Sequence, residues 1–176
     1  MSLIWMFDDG IAHPWRCSMC GKIHDTLPAV VSMSPAYWDW ASEQERISEF
    51  ELTSDTCVWD DKYFFVRCVL EIPFIDRDGT LDFGVWASLS PENFRSYMKV
   101  FDSPNRAGLE AMFGYFSNSL PGFSDTMNLK CDVVPRESGL RPILELHANA
   151  HPLVHWQESG IRFDQAVAYV HEHLGI

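Results

Sequence analysis

Two thiols separated by two residues, Cys17 and Cys20, followed by Gly21 and His24, are the residues of this 176-residue chain best suited to chemistry. A tetrahedral zinc ion takes soft or borderline ligands. A tight turn closed by glycine lets two thiolates face one metal while nearby backbone N–H groups point at the sulfurs. Residues 13–28 therefore read as a zinc-knuckle-like segment with His24 as a third ligand. No second Cys-x-x-Cys follows, so a fourth ligand must come from far along the chain or from water. Two other readings of the thiol pair stand beside ligation. Two small buried hydrophobes at this spacing need no metal. A redox pair wants a helix start beside a strand, whereas this segment runs through glycine towards Pro28.

The remaining cysteines divide by position. Cys68 and Cys131 fall on the apolar faces of strand-like runs and read as core. Cys57 lies at the end of an element beside Asp60-Asp61 and is the better fourth ligand. The metal set is thus Cys17, Cys20, His24 and Cys57, holding one structural zinc. His147, His151 and His155 recur every four residues, a spacing that would align three imidazoles on a helix, but Pro152 interrupts the run. His151 reads instead as the cap of a short helix closed by Gly160, with His155 facing solvent. His171 and His173 fall in the last turn of the final helix, where a cation favours the negative dipole end, and read as surface. Seven tryptophans, Trp5 among them, exceed what a core of this size needs. Trp38 and Trp40, two apart on one helix, cannot share an interior face, so one lines a groove or meets a partner. The sequence carries no glycine-rich phosphate loop, G-x-S-x-G elbow or close carboxylate pair in an apolar setting, and no catalytic residue is assigned.

The elements that must position these residues follow from periodicity and turn chemistry. Ser34-Pro35 opens a helix with Ser34 at the N-cap, and Glu43 to Glu51 continues it or adds a turn. A strand around Leu52 to Trp59 turns at Asp60-Asp61 into the clearest strand, Tyr63 to Pro73, whose even-numbered face is buried. Asp76-Arg77-Asp78-Gly79 turns this strand into a partner carrying Leu81, Phe83, Val85, Ala87 and Leu89. Ser90-Pro91-Glu92-Asn93 caps a helix to about Phe101. Strands follow at Met112 to Leu120, at Met127 to Val133, and at Arg141 to His147, where Leu144 and Leu146 are buried. Asp164 caps a last helix with Ala166, Val167, Val170 and Leu174 on one stripe before Gly175. The expected fold is α+β, a single domain over 1–176, mainly an antiparallel sheet built from hairpins with several short helices.

Several segments, taken in order, resemble one family: Cys17-Ser-Met-Cys-Gly with His24 and Pro28, Ser54 to Cys57, Phe64 to Arg67, Leu70 to Pro73, Gly84 to Ser90, Asn93-Phe94, Asp125-Thr126 with Leu129, Arg141-Pro142, and His151-Pro152-Leu153 with Gly160-Ile161. The resemblance is to the bacterial domain of unknown function 2199. It implies a bacterial single-domain protein of no assigned activity, and it names no catalytic residue.

Composition bounds the rest. The apolar start, Met1 to Phe7, lacks a basic flank and ends at Asp8-Asp9-Gly10, too early for a signal peptide. No apolar run reaches the roughly 20 residues of a membrane span. Five cysteines in such a chain read as reduced thiols. A soluble bacterial protein of the cytoplasm is expected. A net charge of −12 disfavours nucleic acid and anionic membranes and leaves a basic protein as the partner. The leading function is a binding or interaction module stapled by structural zinc. One alternative is a zinc-dependent hydrolase, in which His24 or His151 completes an open site and Asp25 or Asp55 is the base. Another is an acidic toxin-neutralising protein. The charge balance generates one direct expectation: no appreciable affinity for DNA or RNA at physiological salt. A filter-binding Kd below micromolar with a steep salt slope would overturn it.

Overall fold

The computed structural model of the protein describes residues 14–17, 19–24 and 26–174. Readings that fall on the start of the chain, on Trp5, Ser18, Asp25 or Gly175, lie outside them. A short hairpin of β1 (Trp15–Arg16) and β2 (Ile23–His24) precedes β3 (Val30–Val31), α1 (Ala36–Trp40), α2 (Glu43–Glu49), β4 (Phe50–Leu52) and β5 (Thr56–Trp59). Two long strands follow, β6 (Tyr63–Pro73) and β7 (Thr80–Leu89), and then α3 (Pro91–Lys99), β8 (Met112–Phe116), β9 (Lys130–Val134) and β10 (Ile143–Leu146). The last elements are α4 (Pro152–Ser159) and α5 (Phe163–Leu174). No helix among the described residues is long and apolar enough to cross a membrane.

The β6–β7 hairpin forms as its alternation requires, pairing from Phe64↔Leu89 to Pro73↔Thr80. Gly79 turns the chain at φ +108°, a conformation that favours glycine. Val66, Cys68, Leu70 and Ile72 of β6 meet Leu81, Phe83, Val85 and Ala87 of β7 in the main core. Each large apolar side chain so buried contributes about 1.5–3 kcal/mol. Cys131 lies in the same core, so both thiols read as packing are packing. At the helix starts, Ser90 accepts from the Asn93 N–H at 3.1 Å. His151 Nδ1 accepts from the Leu153 N–H at 3.1 Å, which makes it the cap expected of it.

The sheet departs from the expected form. It is a closed, mixed β-barrel, not a simple antiparallel sheet of hairpins. Strands β7, β8, β9, β10 and β6 follow one another, and the β6–β7 ladder closes the ring. The β10–β6 contact is parallel, Ile143 opposite Val69, with the Val69 N–H donating to the Pro142 carbonyl at 2.9 Å. β3 also joins β7 in parallel. Such contacts join segments far apart in the chain, so no local turn announces them.

Strand β6 is buried on both faces in its middle, since Phe65, Arg67 and Val69 are as hidden as the even-numbered residues. The outer face is covered by α1 and the β4–β5 hairpin, which form a second cluster around Phe50, Cys57, Phe65 and Trp86. The strand expected over Leu52 to Trp59 is split by a turn in which Thr53 Oγ1 accepts from the Asp55 and Thr56 N–H groups. Ser34 is buried and donates to Asp39 at 2.7 Å, leaving the cap position of α1 to Pro35. Asp164 lies within the first turn of α5, whose Phe163 N–H donates to Asp76 at 2.9 Å.

Asn118, buried just beyond β8, ties the two clusters together. Its Oδ1 accepts from the Trp86 N–H at 2.7 Å, and its Nδ2 donates to the Ser34 carbonyl at 2.9 Å. Asn118→Ala leaves both backbone groups without this partner in a buried setting and is expected to cost about 3 kcal/mol. In a domain of this size that lowers the melting temperature by roughly 6–12 °C. An unchanged calorimetric transition would show that these bonds are replaceable.

Candidate metal centre

The β1–β2 hairpin pairs Trp15 with His24 and Arg16 with Ile23, and its loop carries both thiols of the Cys-x-x-Cys segment. The Gly21 N–H donates to the Cys17 carbonyl at 2.9 Å, and the Cys17 N–H donates to the Lys22 carbonyl at 2.8 Å. Gly21 sits at φ +72°, so the loop needs glycine for its backbone and not for space, since a Cβ there would meet nothing within 4 Å. This closure aims two N–H groups at one sulfur: Met19 donates to Cys17 Sγ at 3.3 Å and Cys20 at 3.5 Å. Burial pushes the Cys17 thiol up, but the N–H groups of Cys20 and Met19 and the Cys20 thiol outweigh it and hold the group below its usual range. A sulfur surrounded by donors is prepared to carry negative charge, as a metal-bound thiolate does.

A second element completes the group. His171, on the face of α5 turned to the hairpin, brings Nε2 to 2.8 Å from Cys17 Sγ, and His24 brings Nε2 to 3.2 Å from Cys20 Sγ. One ligand atom from each of Cys17, Cys20, His24 and His171 lies within 4.8 Å of the other three. In a tetrahedral zinc site, sulfur and nitrogen ligands sit about 3.5 Å apart, so small movements of the imidazoles would bring these atoms to ligand positions. Aromatic packing holds the hairpin against α5. Trp15 stacks on His24 at 5.2 Å and meets the edge of Phe163 at 5.0 Å. On the far side of Phe163, the Arg77 guanidinium lies 3.7 Å from the ring centroid.

Three of the four residues read from the sequence as ligands thus come together, and Cys57 does not join them. It lies fully buried in β5, opposite Phe65, and burial alone pushes its thiol up to about 12. A thiol so held keeps its proton and makes a poor ligand. His171 was read as a surface residue because its position at the helix end had a sufficient electrostatic explanation. The only sequence sign of its role is that it follows Val167 and Val170 on the buried side of α5.

Of the residues weighed for hydrolysis, His24 belongs to the group, Asp25 lies outside the described residues, and His151 and Asp55 are engaged elsewhere. His151 uses Nδ1 for its cap and holds Nε2 at 2.7 Å from the Ser124 carbonyl. Burial pushes the Asp55 carboxyl up, but donation from Ser54 and Arg141 prevails and holds it below the usual carboxylate range. Arg141 meets it at 2.9 Å. His147 pairs with Asp132 at 3.0 Å. Among the described residues, no second group of His, Cys, Asp and Glu converges in this way.

A family model matches residues 16–161, that of the domain of unknown function 2199, described as an uncharacterized protein conserved in bacteria. The chain belongs to this family. The match takes in Cys17, Cys20 and His24 and ends before His171. No curated protein and no solved structure matches the chain.

The four-residue group generates a metal prediction. Protein prepared without chelator is expected to carry about one zinc per chain, read by elemental analysis. His171→Ala should weaken zinc binding by more than the ~10–100-fold typical of losing a mere neighbour of a ligand. Cys57→Ser should lower stability and leave the zinc content unchanged. Equal zinc retention in His171→Ala and wild type would remove His171 from the set.

Proposed function

We infer that this member of the family is a binding module whose N-terminal hairpin is held to its last helix by a structural zinc ion, and that its partner is a basic protein. The observation that carries this reading is the make-up of the Cys17, Cys20, His24 and His171 group. Four protein ligands fill a tetrahedral zinc ion, and a closed shell offers no position to water or substrate. Catalytic zinc keeps one position open, so the group supports the structural role over hydrolysis. His151 and Asp55, one of the two ligands and one of the two bases that the hydrolase reading weighs beside His24 and Asp25, already serve as helix cap and ion-pair partner.

The partner follows from charge. A field set by −12 net charges attracts cationic surfaces and repels polyanions over nanometre distances at low salt. Neutralisation of a basic toxin is one form such binding takes, and it rests on the same field. The expected outcome is silence of the wild type in esterase, phosphatase and peptidase panels, with affinity capture recovering a specific basic protein. Robust turnover that is lost on chelation and restored by zinc would sink the binding reading in favour of the hydrolase.

A further inference from the structure

On the outer side of the barrel, between α1 and the start of β6, a cleft of ≈ 320 Å³ is lined by Tyr37, Trp59, Tyr63, Phe65 and Ser88. Four of these five are aromatic. Trp59 lies 4.9 Å from Tyr63 and 5.8 Å from Tyr37, and Tyr37 lies 5.5 Å from Phe65, all measured between ring centroids. Tyr63 is 52 % exposed although it is part of this ring set. Glu49 accepts a hydrogen bond from the Trp59 indole N–H at 3.1 Å. Phe50 stacks on the Trp59 ring at 5.3 Å and Tyr37 at 5.8 Å, so the exposed ring of Tyr63 is the face offered to a cation, with Glu49 supplying negative charge nearby.

None of the five lining residues is charged, but the segment that supplies three of them carries much of the formal charge of the chain. Residues 37–63, which supply α1, α2, β4, β5 and the turn into β6, contain eight carboxylates against Arg46 and Lys62, a net −6 and half of the total of −12. Both cations are occupied, and Asp39, Glu45, Asp55 and Asp60 among the carboxylates also have partners, in Ser34, Ser42, Arg141 and Lys62. Lys62 pairs with Asp60 at 2.5 Å, and Arg46 donates to the carbonyls of Trp38 and Asp39.

We propose that this acidic, aromatic cleft receives an arginine side chain presented by an exposed segment of a basic protein. The planar guanidinium stacks on aromatic faces and sheds water more readily than an ammonium, so arginine suits the site better than lysine. The volume suits one side chain, at the small end of ligand sites, so the remaining affinity must come from the carboxylates around it. That requires a polypeptide with further positive charges, not a small free cation. The proposal rests on the reading of the protein as a binder of basic partners and names the surface that does the binding.

Isothermal titration of the full chain with hepta-arginine and hepta-lysine, at low and at physiological salt, tests it. Hepta-arginine should bind more tightly than hepta-lysine. Tyr63→Ser and Glu49→Gln should each weaken arginine binding by roughly 2–30-fold. Glu110→Gln, which removes an exposed carboxylate outside the cleft, should change it by less than about twofold. Circular dichroism of Tyr63→Ser checks that the fold persists, and Glu49→Gln gives the same readout without altering a ring. Undiminished binding in both cleft variants, or equal loss in Glu110→Gln, overturns the cleft and leaves the basic-partner reading in place. No binding of either peptide by the wild type overturns both, and leaves the zinc hairpin untouched.

Discussion

Ten consecutive pairs between β6 and β7 leave each strand one outer edge, and each of those edges is used twice. On β6, the Tyr63 end takes β5 and Val69 takes β10. On β7, Phe83 and Gly84 take β3, and Ala87 to Leu89 take β8. The hairpin is thus the seam at which the sheet closes, and it protects its own edges from pairing with other chains. Close approach of the backbones follows. A Cβ on Gly114 would lie 2.4 Å from the Ser88 carbonyl oxygen, so β8 can reach β7 there only without a side chain.

The candidate centre depends on this closure at one remove. Helix α5 docks on the main core through Ala166 and Val170, and Tyr169 donates to the Pro121 carbonyl at 2.7 Å. That docking puts His171 in a fixed place. The β1–β2 hairpin forms a two-stranded sheet of its own and shares no ladder with the barrel. Ring contacts to Phe163 and the sulfur–imidazole contacts attach it to α5. A two-stranded hairpin this short is marginal by itself, and a shared metal ion is the kind of bond that would secure it to α5.

What could be read from the residues was what local chemistry decides. Tyr63 to Pro73 alternates and is a strand of that length, Gly79 turns it, and Ser90 and His151 cap helices at the positions their side chains allow. The turn that carries Cys17 and Cys20 was legible because its hydrogen bonds run within a few residues. What failed was long-range. Nothing near Val69 tells it to accept β10 in parallel, and nothing near Phe65 tells it that α1 will cover the outer face. His171 escaped for the same reason, since its partner sulfur is 154 residues away and its own surroundings explain a histidine well enough. Cys57 was misplaced by treating the end of a strand as its surface, when the strand end is roofed by Trp38 and Phe50.

The separation of 154 residues between Cys17 and His171 also sets an order on biosynthesis. A ribosome makes the β1–β2 hairpin well before α5, at about 5–20 residues per second. For many seconds the nascent chain holds Cys17, Cys20 and His24 without His171. His171 can join the group only after α5 has been released and has docked on the core. On the structural-zinc reading, the full ligand set is available only once α5 has been made, so capture of the ion is a late step, and a product cut short before α5 would keep only Cys17, Cys20 and His24 of the group.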